Sequence, residues 1–459
     1  MAPLRIQKTH AWIFVLFVVI SYVLVVQRLL LPVVDIRRRP PSPPQSKESP
    51  KDLPVISTGI PPNVKQMILL LQRHHQPLPP LPKDAPCATL ECIQHRAERL
   101  AQPFRDRSND TAWRQGPFHS LTKRDSFTTR SANNSATSLH GILLAKVPKG
   151  ASSTAAGVAL RIARHYGHVP VYGLHHEYPI LHGYARRDAT KTILLGTIRD
   201  PSTRAMSYLS YTCSRQRKQM PTDIADWMHL NYDRSGGVTI QSWGRGGIQL
   251  AFLTLQTLPK YSVWSYSNPR LVTNAAWVED HIRGILKDYD FLLVVERMEE
   301  SLVVLALLLG ISIEDVLVLS SKRGGSSYLP VTTDNGTECI FLPSPPFSPL
   351  LQEYFTNNAS WHAMNYGDYL LHRAANISLD RTIDVVIGRT RFEQAFETYQ
   401  YFKRLADDQC TEVEQPCSSR GIYQPNVASQ FCYQSDYGCG YPCIDHLLLQ
   451  QQQRRRSGS

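Results

Sequence analysis

A chain of 459 residues holds ample material for a buried core, as one large domain or two ordinary ones, and a hydrophobic content of 42% is that of a globular protein. Lys and Arg number 50 against 38 Asp and Glu, a formal charge of +12 that suits nucleic acid, a membrane surface or small anionic ligands. Neither a Cys/His zinc spacing nor a nucleic-acid-binding signature accompanies the excess, so nucleic acid is not an expected partner.

Residues 11–26, AWIFVLFVVISYVLVV, form an uncharged apolar run preceded by Arg5 and Lys8. Gln27 and Arg28 then precede three leucines, so the span extends to about Leu31 with Arg28 snorkelling to the headgroups. The run falls short of the ~20 residues that cross a bilayer, which makes a cleaved signal peptide the competing reading. No small-x-small cleavage site follows it, and an uncleaved signal anchor is the expectation. Arg37 to Arg39, just beyond the span, keep charge bias from setting the orientation. The N-x-S/T triplets starting at Asn109, Asn133, Asn335, Asn358 and Asn376 do better, because several glycosylation acceptors behind an anchor favour a lumenal body.

The expected order is a cytoplasmic tail (1–10), a transmembrane signal anchor (11–31), a proline-rich and mostly disordered stem (32–138), a catalytic domain (139–408) and a Cys-rich tail with a low-complexity C-terminus (409–459). Stretches such as RRRPPSPPQSKESPKDLP and QPLPPLPKDAP cannot build a core and extend as a spacer. Of the nine cysteines, Cys410, Cys417, Cys432, Cys439 and Cys443 crowd the tail without a C-x-x-C pair or a well-spaced histidine. In a lumen they read as disulfide staples of undetermined pairing, with Cys87 and Cys92 as a small local bridge.

From Leu139 onward strand and helix patterns alternate, which predicts an α/β domain with a mainly parallel central sheet. GILLAKV, KTILLGTIRD and DFLLVVE read as strands. STAAGVALRIARHYG, a segment opening at Pro201, and MEESLVVLALLLG read as helices, followed by an amphipathic pair over about 365–375 and 379–405.

Two strand–helix junctions carry chemistry. In KVPKGASST the strand ends at Val147, Pro148 turns the chain, and Gly150 admits a ligand close to the backbone. The open amides of the next helix, beside Ala151, and the hydroxyls of Ser152, Ser153 and Thr154 join Lys149 in a cradle for phosphate or sulfate. An ordinary helix cap with a spare lysine is the alternative. The Walker spacing is not met, since Lys149 precedes Gly150, and an NTPase is disfavoured. In GTIRDPSTRAMSYLSY, Arg199 ends a strand and Ser207 lies two turns into the helix, an arrangement that can clamp a second phosphate. Anion sites at both junctions suit a ligand shaped like adenosine 3′,5′-bisphosphate.

The pair VPKGASST and IRDPSTRAMSYLSY resembles the 5′-phosphosulfate loop and the 3′-phosphate motif of Golgi carbohydrate sulfotransferases. GLHHEYP, VVERMEESLVVLALLLG and MNYGDYLLHRAANISL are similar, in order and spacing, to segments of the galactose 3-O-sulfotransferases, with uronyl and heparan 2-O-sulfotransferases next. The likeness spans about Leu139 to Leu405. It implies a P-loop-NTPase-like sulfotransferase fold, with the central sheet flanked by helices behind the anchor and stem.

It also implies 3′-phosphoadenosine 5′-phosphosulfate as co-substrate, no metal, and transfer of the sulfuryl group to a sugar hydroxyl, with galactose 3-OH of a glycolipid or glycoprotein as the expected acceptor. The implied setting is a single-pass type II enzyme of the Golgi membrane with a lumenal catalytic domain, and a homodimer is compatible. Lys149 would neutralise the leaving oxygen, while the loop amides and hydroxyls hold the 5′-phosphosulfate and Arg199 and Ser207 hold the 3′-phosphate. Lys322, Arg323 and Gly324 in SSKRGGSSY resemble the loop that closes over the nucleotide, with a flexible basic loop as the alternative. The acceptor hydroxyl needs a base, and histidine titrates near working pH. His176 fits the family interval to Arg199 better than His175, and His182 and His168 are lesser candidates. Trp243, Trp264 and Trp361 could stack on sugar faces or pack in the core. Two other outcomes stay open: a 2-O-sulfotransferase acting on uronic-acid polysaccharide, and an inactive lumenal nucleotide- or glycan-binding protein on the same scaffold. A lumenal kinase would need magnesium carboxylates, and none stands out.

Overall fold

A computed structural model describes residues 89–114, 139–166, 171–172, 184, 187–215, 248–254, 274–319, 327–333, 336–342, 347–410, 417–418, 420–424 and 440–457. All of them fall in the unit Pro79–Ser459. The expected anchor, and the proline-rich stretch as far as residue 88, lie outside the described residues. No helix among the described residues is long and apolar enough to cross a membrane.

In chain order the elements are α1 (Leu90–Leu100), β1 (Leu139–Ala145), α2 (Ser152–His165), β2 (Val171–Tyr172), β3 (Arg187–Ile198), α3 (Pro201–Arg215), α4 (Ile248–Leu253) and α5 (Ala275–Asp288). There follow β4 (Phe291–Val294), α6 (Met298–Leu309), β5 (Ser327–Thr333), β6 (Gly336–Leu342), α7 (Pro349–Asn357), α8 (Ala359–Met364), α9 (Tyr366–Arg381), α10 (Arg389–Cys410) and α11 (Tyr441–Ser457).

The fold is mixed α/β around a small parallel sheet of order β2-β1-β3-β4. Ile142, Leu143 and Leu144 of β1, residues 192–198 of β3 and all of β4 are buried, so these strands read as continuous apolar runs. That is the signature of a sheet covered on both faces. The chain goes from β1 to β2 on one side and from β3 to β4 on the other. Connections leaving β1 and β3 therefore diverge, opening a crevice at the strands' carboxyl ends. The helix of MEESLVVLALLL is apolar almost all round because it lies inside the core, and it stops at Gly310, whose φ of 59° places it in the left-handed region.

Several boundaries differ from the expectation. Residues 89–114, assigned to the mostly disordered stem in which weak order is expected from about Cys87, belong to the folded body. Ile93, Ala97 and Leu100 recur at helical spacing on α1 and enter the common core with Phe104 and Trp113. Phe104 meets Phe291 of β4 edge to face at 4.9 Å, and buried Arg107 pairs with Asp290 at 2.6 Å. The C-terminal LLLQQQQRRR is largely helical in α11, with Tyr441, Ile444 and Leu447 buried. The expected helix pair is α9 continued by a π-helical turn (Thr382–Ile387), then α10 after Gly388. The antiparallel hairpin β5–β6 and helix α5 were not anticipated.

Disulfides secure the tail. Cys410–Cys443 ties α11 to α10, and Cys339–Cys417 ties the tail to the hairpin; Cys92 is also disulfide-bonded. Arg161 of α2, 1% exposed, pairs with Asp445 of α11 at 2.6 Å and lies over the Tyr441 ring.

Candidate functional site

The crevice is bounded by the ends of β1, β3 and β4, which lie side by side in register: Ala145 pairs with Gly196, and Ile198 pairs with Val294. Beyond β1 the chain makes a tight turn in which the Gly150 amide donates to the Val147 carbonyl at 3.1 Å. Lys149 and Ala151 have φ of 62° and 52°, in the left-handed region, while Gly150 between them does not. Alternation of this kind turns successive amides toward one side of the loop, a concavity suited to an anion. Left-handed backbone at two residues with side chains stores strain, as functional loops often do.

Gly150 sits close against β3. A Cβ on it would lie 3.1 Å from Thr197 Oγ1 and 3.3 Å from the Val147 carbonyl oxygen. The loop thus rests directly on β3. Thr197 is fully buried, and its hydroxyl has no partner among the described residues.

Helix α2 follows with no side-chain cap on its first turn. Its first intrahelical bond runs from the Ala155 amide to the Ala151 carbonyl at 3.1 Å, which leaves the preceding amides of Ser152, Ser153 and Thr154 open to a ligand. Ser152 is buried, and Ser153 and Thr154 are half-buried. With Lys149 at the mouth, the predicted cradle residues converge on one helix end and its positive dipole.

The second junction adjoins the first. Arg199 Nη1 donates to the Lys149 carbonyl at 3.2 Å, and Arg199 Nε donates to Thr203 Oγ1 at 3.2 Å. Burial lowers the Arg199 guanidinium from its ordinary value, against the pull of Glu296 and Asp200. Asp200 caps α3 by accepting from the Thr203 amide at 2.9 Å. Ser207 lies one turn beyond Thr203 on the same helix face and is half-buried. No hydrogen bond or ion pair among the described residues joins Ser207 to Arg199.

Glu296, just past β4, completes the group and was missed from sequence. Its Oε1 accepts from the Asp200 amide and from Thr203 Oγ1, both at 3.0 Å, and its Oε2 meets His372 Nε2 at 3.1 Å. Burial works to raise the Glu296 carboxyl, but the His372 hydrogen bond and charge and two backbone amides outweigh it and hold the group below the usual range. A charged residue at the end of a fully buried strand was the available signal. Asp368 and His372 lie within the segment MNYGDYLLHRAANISL, but neither they nor Gln249 stand out singly, because their roles depend on which helices pack behind Arg199.

The remaining expectations divide. His168, His175, His176, His182, Lys322, Arg323, Gly324, Asn133, Asn335, Trp243 and Trp264 lie outside the described residues. Asn109 is exposed in a turn, Asn358 caps α8, and Asn376 lies within α9 accepting from Arg297 Nη1 at 2.9 Å. Trp361 is fully buried, with its indole N–H on Tyr369 at 3.1 Å, which makes it core and not a sugar platform. Among the described residues no group of three or more His, Cys, Asp or Glu is arranged to hold a metal ion.

No protein-family model matches the chain, and neither the curated proteins nor the solved structures contain a match.

Proposed function

We propose that the crevice binds 3′-phosphoadenosine 5′-phosphosulfate and that the protein transfers its sulfuryl group to a sugar hydroxyl. The observation that carries this reading is the bond from Arg199 to the Lys149 carbonyl, which joins two anion-binding junctions at adjacent parallel strand ends. One bisphosphorylated nucleotide can reach both, as the resemblance to carbohydrate sulfotransferases with a P-loop-like fold implies.

On this reading the amides of Ser152, Ser153 and Thr154 and their hydroxyls hold the 5′-phosphosulfate, and Gly150 and Ala151 shape the concavity. Lys149 stabilises charge on the phosphate oxygen as its bond to sulfur breaks. Arg199 and Ser207 take the 3′-phosphate. The acceptor oxygen forms the new bond to sulfur while a histidine, His176 before His175, accepts its proton. Lys322, Arg323 and Gly324 are assigned to the nucleotide, as the resemblance implies. Positioning and charge supply most of the acceleration.

The acceptor we favour is galactose 3-OH on a glycolipid or glycoprotein in the Golgi lumen, reached from a type II membrane anchor. The disulfides suit such an oxidising compartment. Calorimetric titration of the full chain with adenosine 3′,5′-bisphosphate tests the nucleotide site. Saturable one-to-one binding is expected, and absence of binding contradicts the proposal.

A further inference from the structure

We infer that one buried face of α9, through Asp368 and His372, positions the Arg199 guanidinium, making both positioning residues of the nucleotide site; the inference rests on the anion-binding reading above. Asp368 and His372 lie four apart on α9, hence on one face, and are 0% and 6% exposed. Each begins a separate chain of contacts that ends at Arg199.

The first chain fixes the backbone. Asp368 accepts from the Gln249 amide at 3.2 Å and from the Leu250 amide at 2.9 Å, so it caps α4. Gln249 is fully buried, and its side chain closes on Arg199 from both sides. Its Oε1 accepts the Arg199 amide at 2.9 Å, and its Nε2 donates to the Arg199 carbonyl at 2.7 Å. This two-point bond imitates a strand partner at the place where β3 runs out of neighbours.

The second chain fixes the side chain. Glu296 is held ionised and can only accept, so His372 Nε2 is the donor in their 3.1 Å contact. His372 Nδ1 has no partner among the described residues, which leaves Glu296 as the contact that orients the ring. The Thr203 hydroxyl lies within donor reach of the other carboxylate oxygen at 3.0 Å and of the Asp200 carbonyl at 3.1 Å. With its one proton directed to either acceptor, Thr203 Oγ1 presents lone pairs to Arg199 Nε at 3.2 Å. Nε and Nη1 of Arg199 are then occupied by protein acceptors, and no described residue engages Nη2. The guanidinium is thus held at two nitrogens, with Nη2 left for an oxyanion.

The test is a set of thermodynamic cycles read as affinity of the full chain for adenosine 3′,5′-bisphosphate at fixed salt. Arg199→Ala should weaken binding at least about tenfold. His372→Phe and Gln249→Leu should each weaken it about three- to tenfold, roughly the worth of one hydrogen bond. In the Arg199→Ala background neither should add more than about twofold, because the group they position is gone. His372→Gln, whose amide N–H can still reach Glu296, should bind nearly as the parent does, and it keeps the test open if His372→Phe folds poorly. Equal losses in both backgrounds, or no loss from either single variant, overturn the inference while the nucleotide site stands. No loss from Arg199→Ala overturns the anion-binding reading, and the inference with it.

Discussion

Arg199 and the Lys149 carbonyl are joined across two strand ends by a 3.2 Å hydrogen bond, so the loop after β1 and the start of α3 form a single surface. The Lys149 backbone serves this bond while its side chain is assigned to the reaction. Lys149→Ala should therefore abolish transfer while the backbone contact survives. Ala151→Gly should be as stable as the parent or up to about 1 kcal/mol more stable, because Ala151 already lies at a φ that glycine adopts without strain. Thermal melts and turnover of the two variants check both statements; a Lys149→Ala enzyme with normal turnover contradicts the assigned role.

The Glu296 carboxyl is held below its unfolded value, so it favours folding fully at pH above the ordinary glutamate pKa of about 4.3 and loses that contribution as pH falls through its lower folded value. Glu296→Gln should consequently be less stable than the parent near neutrality, and the gap should close on acidification below about pH 4. Denaturant midpoints of both proteins from pH 3 to 7 measure this. A gap that is constant or widens toward acid contradicts the stated role of the His372 contact.

The Cys410–Cys443 bridge spans 33 residues of sequence, and its loss should cost about 3–4 kcal/mol by chain entropy. Replacing both cysteines with serine should also loosen α11, because its Asp445 contact to buried Arg161 then depends on packing alone. Limited proteolysis should show earlier cleavage within 441–457. An unchanged cleavage pattern and melting temperature would contradict this account of the tail.

Arg107 donates to Asp290 at 2.6 Å, is 3% exposed overall, and bonds the Thr190 carbonyl at 3.2 Å. Arg107→Ala leaves Asp290 buried without its cation, with the Leu194 amide still on its carboxylate, and should destabilise the fold by about 3–5 kcal/mol. Denaturation of the variant measures it, and a loss below about 1 kcal/mol would return residues 89–114 to the status of a stem.

That segment shows where the sequence was harder to read. The strands of β1, β3 and β4 were legible because seven or fewer consecutive apolar residues ended at turn signals, and the parallel sheet followed from their alternation with helices. The Lys149 loop and Arg199 were legible because each is a local motif. The helix at Ile93, Ala97 and Leu100 carried the right spacing but sat beside proline-rich sequence, and its burial depends on contacts with α9 and α5 far along the chain. Gln249, Asp368 and His372 were hidden for the same reason: a buried amide, carboxylate or imidazole becomes a support only when a distant backbone needs one. Trp361 was left between sugar platform and core, and its burial against Phe355, with ring centroids 4.8 Å apart, decides for the core.

Sulfuryl transfer itself is measured by incubating the full chain with donor carrying radiolabelled sulfate and a panel of galactose- and uronate-terminated glycans. Label is expected on a galactose acceptor with the parent protein and none with Lys149→Ala. Turnover should also fall by about 10²–10⁴ in His176→Ala, with less effect from His175→Ala. Label on no acceptor, although adenosine 3′,5′-bisphosphate binds, would contradict catalysis and leave a nucleotide-binding protein on this scaffold.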